Sequence, residues 1–282
     1  MTTRTWLGGG DNSASNPNDW SPAGAPEPGD TLQISNPGPA TMNVQDNALA
    51  GDPLLIAADG TTVNLSDNAV ANVVLGQGAS PTINIAGVAH FAILPGEESG
   101  ATVNLAANSA WIGGFSFTYS ESLTVNGPRA VFINDEASSF GSHSGGGFNT
   151  AIAGTGSISG YGNPLEFGGF VSRGQTITEA GPGAIITVDH PSEYHALTDL
   201  LSFTELDLVG LANADSYTLK NDLLRLYSGN HVIYTARLEV SPPVSPEYQQ
   251  LAVMQTATGV DIYTDVGIVP GLPSGGLPVH QG

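Results

Sequence analysis

Thr62-Val63-Asn64-Leu65 is followed twenty residues later by Thr82-Ile83-Asn84-Ile85, after another twenty by Thr102-Val103-Asn104-Leu105, and after twenty-two by the looser copy Thr124-Val125-Asn126-Gly127. A second apolar run follows each copy at about half a period. A fixed period of about 20–50 residues is typical of arrays in which one small unit stacks on the next. Each unit reads as two short strands joined by turns. The sequence therefore predicts a parallel β-solenoid with about twenty residues per coil.

The motif also predicts which side chains face inward. Alternate side chains of a strand point to opposite sides, so Val63 shares one side with Leu65, and Thr62 shares the other with Asn64. Coils stacked about 4.8 Å apart place Val63 in one interior column with its counterparts in later copies. No single coil could bury its apolar side alone. The outward columns are the predicted interface, which consists of Thr62, Asn64, Thr82, Asn84, Thr102 and Asn104.

Composition divides the chain into four parts. Residues 1–37, rich in Gly, Pro, Asn and Asp, are predicted to cap the solenoid, which occupies residues 38–190. Residues 191–265 contain dense alternating strands with a tight turn at Ser228-Gly229-Asn230, and are predicted to form a smaller antiparallel β-module. Residues 266–282 form a Gly/Pro-rich tail that we expect to be extended. The predicted fold class is all-β.

One stretch inside the solenoid is read differently. The glycine-rich segment from Ser139 to Phe148 is predicted to be a flexible loop. A phosphate-binding cradle is the alternative, but no lysine follows the segment and no strand-to-helix pattern surrounds it.

The charge balance excludes several classes of partner. Against 26 acidic residues stand 6 basic ones, for a net charge of −20, so binding to nucleic acid or to anionic membranes is not expected. No apolar run approaches the roughly eighteen residues of a membrane span, which argues against membrane insertion. With only 11% charged residues, the surface must consist mainly of neutral polar groups. The absence of cysteine excludes disulfides and thiolate chemistry.

The N-terminal residues carry a resemblance to known proteins. Trp6-Leu7-Gly8-Gly9-Gly10, Asn16-Pro17-Asn18-Asp19-Trp20 and Pro26-Glu27-Pro28-Gly29-Asp30 follow one another within the first thirty residues. This segment resembles one in large bacterial surface proteins and autotransporter-like passengers, where Trp-x-Gly-Gly-Gly, Asn-x-x-Asp-Trp and Pro-x-x-Gly-Asp precede a β-solenoid. The resemblance implies a β-helical protein at the cell surface or outside the cell. It implies no reaction.

The same segment has a structural interpretation and a metal-binding one. Trp6 and Trp20 are predicted to cover the open end of the solenoid, where bare strand edges would otherwise invite aggregation. The alternative is a Ca²⁺ loop, although the spacing does not match the EF-hand pattern and Asx-rich turns also occur without metal. Ca²⁺ is the only cofactor that the sequence suggests, and its candidate ligands are Asp11, Asn12, Asp19 and Asp30.

Other groups of reactive side chains are interpreted as ordinary surface. The only local cluster of metal-type ligands is Asp189, His190, Glu193 and His195. Glycoside hydrolysis needs two carboxyl groups about 5–10 Å apart. The candidate pairs are Glu97 with Glu98, Asp135 with Glu136, and Glu205 with Asp207.

These observations favour a non-catalytic structural or adhesive building block of a bacterial cell-surface or extracellular assembly, for which Ca²⁺ is a candidate stabilising cation. Its expected partners are further copies of itself, other surface proteins or a polysaccharide. The first residues lack the apolar core of a signal peptide, so secretion would require another export signal. A phage or virion component, such as a decoration or tail-spike protein, is one alternative. A β-helical polysaccharide lyase or hydrolase is the other.

Overall fold

The computed structural model describes residues 2–35, 40–66, 68–94, 99–117, 122–135, 137–142, 144–162, 164–181, 183–201, 204–240, 250–265 and 276–279. These residues form an all-β structure dominated by a parallel β-solenoid of about 7 turns with about 21 residues per turn. Single 3-10 turns occur at Pro17–Asp19 and Pro191–Glu193. Within the described ranges, no helix has the length and apolar character needed to cross a membrane.

The described ranges contain twenty-five strands. In chain order they are β1 (Thr3–Trp6), β2 (Trp20–Ser21), β3 (Thr31–Ile34), β4 (Thr41–Gln45), β5 (Pro53–Ile56), β6 (Thr62–Ser66), β7 (Val70–Leu75), β8 (Thr82–Ala86), β9 (Val88–Leu94), β10 (Gly100–Leu105), β11 (Ala110–Ile112), β12 (Ser122–Ile133), β13 (Ala137–Ser142), β14 (Gly145–Ala153), β15 (Ser157–Tyr161), β16 (Pro164–Phe167), β17 (Thr176–Ala180), β18 (Ala184–Val188), β19 (Leu197–Leu200), β20 (Thr204–Val209), β21 (Ser216–Lys220), β22 (Leu223–Ser228), β23 (His231–Val240), β24 (Gln250–Gln255) and β25 (Gly259–Asp265).

Each coil contributes one strand to each of two parallel faces, as the half-period pattern predicted. On the first face β4, β6, β8, β10 and β12 pair in sequence. On the second, β3, β5, β7, β9 and β11 do so. The long strands β12 and β14 extend from the first face to the second, and their pairing register shifts between Gly127 and Val131. Later coils add a third face, in which β13, β15, β17 and β19 pair in parallel.

The interior column predicted from the motif is confirmed. Val63 lies opposite Ile83, Ile83 opposite Val103, and Val103 opposite Val125. All four side chains are fully buried. Each such side chain stabilises the fold by about 1.5–3 kcal/mol when buried, and the stacking of successive coils is what buries it.

Aromatic rings fill the core of the half of the solenoid that begins at β9. Trp111 stacks between Phe91 and Phe132, with ring centroids 4.6 and 4.1 Å away. The series continues in the next coils, where Phe148 stacks on Phe167 at 5.5 Å. These rings belong to one continuous core with the aliphatic columns.

The prediction of a flexible loop from Ser139 to Phe148 is wrong, because the described residues of this segment other than Ser144 lie in strands β13 and β14. Gly146 makes room for an aromatic ring. A Cβ added to Gly146 would lie 2.4 Å from the ring of Phe140, which is itself buried. Composition alone does not distinguish these two uses of glycine.

The N-terminal end of the solenoid is covered by the predicted cap residues. Strand β1 pairs in parallel with β3 and antiparallel with β2, which places Trp6 opposite Trp20. Both indoles are buried and meet edge to face, with centroids 5.2 Å apart. The backbone around Ser13 bonds to Asn43 and so covers β4, the first strand of the other face.

Antiparallel strands cover the C-terminal end. Strand β25 pairs with the outer edge of β20, and β24 pairs with β25. Strand β23 pairs in parallel with β19 and so continues the third face. Strand β22 pairs antiparallel with β23, and β21 pairs antiparallel with β22. The turn predicted at Ser228-Gly229-Asn230 joins β22 to β23. Parallel pairing therefore extends past residue 190, through β19 and β20, before antiparallel pairing begins.

Candidate functional site

The outward Thr and Asn side chains of the first face form two straight columns, which we call the polar face. Strand pairing places successive threonines opposite one another, and likewise the asparagines. The interface residues predicted from sequence all belong to these columns. The structure adds an earlier copy, Thr41-Met42-Asn43-Val44, whose motif is present in the sequence twenty-one residues before Thr62. The polar face consists of Thr41, Asn43, Thr62, Asn64, Thr82, Asn84, Thr102, Asn104, Thr124 and Asn126.

The asparagine column is a continuous hydrogen-bonded ladder. Each Nδ2 donates to the Oδ1 of the asparagine one coil earlier, over 2.8 Å from Asn64 to Asn43 and 2.9 Å from Asn84 to Asn64. Asn104 and Asn126 extend it with bonds of 3.1 Å each. The ladder ends at the N-terminal cap, where Asn43 Nδ2 donates to the carbonyl of Asp11. These bonds hold every amide in one orientation, so the ladder presents a fixed surface.

The threonine column keeps its hydroxyl groups available. Thr62, Thr82 and Thr102 are half-buried, and their hydroxyls have no hydrogen-bond partner in the part of the chain that the structure describes. A hydroxyl can both donate and accept. The polar face therefore presents a row of unpaired hydroxyls beside a row of fixed amides, repeated once per coil.

Further along the same face the outward residues become acidic. Gly147 follows Thr124 in the threonine column, and then come Glu166, Thr187 and Asp207. Asp261 of β25 lies directly opposite Asp207. The polar face thus has a neutral part and an acidic end.

Four side chains meet at this acidic end, which we call the acidic cluster: Glu205, Asp207, Asp261 and Tyr263. The Tyr263 hydroxyl lies 3.2 Å from Glu205 Oε1 and 3.1 Å from Asp261 Oδ2. Asp207 Oδ1 is buried and meets no donor among the described residues. The sequence predicts Glu205 with Asp207 as a candidate carboxylate pair. It contains no local signal for Asp261 and Tyr263, because their strand is more than fifty residues away.

Burial and mutual repulsion perturb the groups of the acidic cluster. Burial raises the pKa of Glu205 and of Asp207, and the charge of Asp261 raises the pKa of both further. Burial also raises the pKa of the Tyr263 hydroxyl, with the charges of Glu205 and Asp261 adding to the effect. A raised pKa favours the protonated carboxyl group, which is the form that a general acid requires.

A cavity of about 340 Å³ is lined in part by Asp189. The charge of Asp189 raises the pKa of Asp207 in the acidic cluster. Thr124 and Asn126 of the polar face also line the cavity. Its complete lining is Thr124, Asn126, Gly147, Phe148, Asn149, Glu166, Gly168, Asp189 and His190.

Replacing Asp261 by asparagine is expected to stabilise the protein at neutral pH. Like charges placed directly opposite in a sheet are unfavourable, by an amount on the order of 0.2–1 kcal/mol, and Asp261→Asn removes one of them. Because the folded-state pKa values of Glu205 and Asp207 are raised, these two groups bind more protons in the native state than in the unfolded chain above about pH 4. Their contribution to native stability should therefore fall as the pH rises from there through the raised pKa values.

The measurement is urea unfolding of both proteins at several pH values between 4 and 8. The gain from Asp261→Asn should grow with pH and vanish near pH 4. An equal gain at every pH would show that charge repulsion is not its cause.

The remaining candidate ligands have different surroundings in the structure. No group of three or more His, Cys, Asp or Glu side chains that could hold a metal occurs in the described ranges. Asp189 and His190 line the cavity, whereas His195 packs edge to face against the ring of Phe170. Asp135 accepts a bond from the Thr155 amide. Glu97, Glu98 and Glu136 lie outside the described residues.

The N-terminal candidates divide into two places. The carboxyl groups of Asp11 and Asp19 lie within hydrogen-bonding reach of each other. Asn12 is beside them and its Oδ1 accepts from the Gly9 amide at 3.4 Å. Asp30 is engaged elsewhere, in a buried ion pair with Arg4, whose hydrogen bond holds the pKa of Asp30 below its usual range.

Comparison with known proteins gives no further assignment. No family model, curated protein or solved structure matches the chain.

Proposed function

We propose that the protein is a non-catalytic adhesive module of a bacterial cell-surface or extracellular assembly, and that its polar face binds a neutral polysaccharide. The observation that supports this proposal most is the row of unpaired Thr hydroxyls beside the bonded Asn ladder, repeated in register over several coils. A surface that repeats along one direction suits a ligand that also repeats along its length.

The chemistry of the polar face fits sugar hydroxyl groups. Thr hydroxyls donate and accept, and each ladder amide keeps one N–H beyond the one it uses. Coil spacing repeats these groups about every 4.8 Å. A net charge of −20 repels anionic chains, which is why the proposed ligand is neutral.

The covered ends of the solenoid favour adhesion over growth into a filament by strand addition. Edge strands that pair with another chain must expose unpaired backbone groups. Among the described residues, β1 and β2 cover one end, and β25 with β24 covers the other. A partner therefore meets the sides of the solenoid, where the polar face lies.

The test is binding of the purified protein to immobilised neutral polysaccharides, compared with the variant Thr82→Val/Thr102→Val. Valine keeps the branched shape and removes only the hydroxyl. Each lost hydrogen bond costs about 0.5–1.5 kcal/mol, so two should weaken binding roughly 5- to 150-fold. Thr176→Val/Thr178→Val is the matched control, because these half-buried threonines lie on β17 of the third face.

Three outcomes would contradict the proposal. One is a failure to bind any neutral polysaccharide, and another is an equal loss of affinity in the control variant. The third is release of reducing ends during the incubation, if Glu205→Gln abolishes it. That result would give the acidic cluster a hydrolytic role and make the protein an enzyme.

A further inference from the structure

Asp19 presents a buried carboxylate that the described residues leave incompletely bonded. Its relative exposure is 4%, and its Oδ2 atom is buried with no hydrogen-bond partner among the described residues. Buried polar groups are normally paired, and an unpaired buried charge is strongly unfavourable. Asp19 Oδ2 therefore requires a partner other than the described side chains.

The surroundings of Asp19 increase the need for compensation. Asp11 brings a second carboxyl group within hydrogen-bonding reach, and its charge acts against ionisation of Asp19. Residues 7–20 contain no Lys, Arg or His. The nearest cation in the sequence, Arg4, is committed to Asp30 and to the carbonyls of Pro22 and Gly24.

The loop that carries both carboxyl groups is held closed. The amide of Leu7 donates to the carbonyl of Asp19 over 2.8 Å, and the pairing of Trp6 with Trp20 fixes the base. Asp19 packs so closely on Gly9 that a Cβ there would lie 1.7 Å from its Oδ1. Asp11 Oδ1 already accepts from the amide of Ser13 and from Asn16 Nδ2.

We propose that this loop binds a divalent cation, with Ca²⁺ preferred, through carboxylate oxygens of Asp11 and Asp19. All available donors are oxygens, which hard cations favour. Ca²⁺ also tolerates the irregular geometry of a glycine-rich loop better than Mg²⁺ does. Asn12 and loop carbonyls are the nearest further oxygen ligands, and water can complete the shell. Asp30 takes no part because Arg4 occupies it.

The competing explanation is that Asp11 and Asp19 share a proton. The dependence of the Tm on Ca²⁺ distinguishes this explanation from cation binding. The full chain is melted at pH 7 in EDTA and then in increasing CaCl₂, with MgCl₂ as the comparison. At a 100-fold excess over Kd, binding to the native state alone should raise the Tm by about 5–10 °C. Asp19→Asn and Asp11→Asn should each remove most of this response.

Terbium luminescence gives a second readout that does not depend on stability. The indoles of Trp6 and Trp20 adjoin the loop, so Tb³⁺ bound there should be sensitised by excitation of tryptophan, and Ca²⁺ should displace it. Asp207→Asn is the matched control, because it removes a carboxylate from the acidic cluster and leaves the loop intact. It should keep both the Tm response and the luminescence.

The proposal is overturned if the Tm does not respond to Ca²⁺. It is also overturned if the Tm of Asp19→Asn responds to Ca²⁺ as strongly as that of the unsubstituted protein. A Tm that rises on acidification but not with Ca²⁺ would assign the pair to a shared proton. None of these results bears on the proposed polysaccharide binding, because that test concerns a different surface.

Discussion

Ile83→Asp is expected to abolish the native fold. Ile83 is fully buried between Val63 and Val103 in the interior column. The change forfeits about 1.5–3 kcal/mol of apolar burial and places an unpaired carboxylate in the core, at an effective penalty of several kcal/mol. The sum is comparable to the whole stability of an ordinary domain, about 5–15 kcal/mol. Far-UV circular dichroism and urea unfolding provide the measurement.

Thr82→Asp is the matched control, since it introduces the same charge one residue earlier. Thr82 points outward on the polar face, where water solvates a carboxylate, so the loss should stay within about 0.5 kcal/mol. The contrast between neighbouring positions tests the inward and outward alternation directly. Equal destabilisation by the two variants would contradict the stacked interior column.

The repeat could be predicted from sequence because its cause is local. In Thr62-Val63-Asn64-Leu65 the alternation of polar and apolar residues reports which side of the strand is buried. Recurrence of the motif then reports the coil. The copy at Thr41 carried the same signal, and its asparagine completes the ladder at the N-terminal cap.

The acidic cluster could not be predicted, because it depends on pairing between distant strands. Glu205 and Asp207 were recognisable as neighbours on one side of a strand. Strand β25 pairs antiparallel with β20 and places Asp261 opposite Asp207. This pairing is a property of how the solenoid ends. No local pattern encodes the choice of partner strand. The same limit applies to Asp30, whose engagement by Arg4 spans twenty-six residues.

The half of the solenoid that begins at β9 contains a ring stack that the twenty-residue motif does not reveal. Trp111 is fully buried and separates the rings of Phe91 and Phe132. Its Nε1 donates to the carbonyl of Phe91 at 2.8 Å. One side chain thus connects three successive coils, through β9, β11 and β12.

Trp111→Ala is therefore expected to lower the free energy of unfolding by about 3–5 kcal/mol, the range for removing a large aromatic ring from a core. Urea titration followed by circular dichroism measures the change. Trp111→Phe should cost less, because it keeps a ring between Phe91 and Phe132 and loses mainly the hydrogen bond, for which about 0.5–1.5 kcal/mol is typical. Val232→Ala serves as the surface control, since Val232 is half exposed. If Trp111→Ala were no more destabilising than Val232→Ala, the coils would be held together without the stack, and the aliphatic columns alone would have to account for the stability of this half.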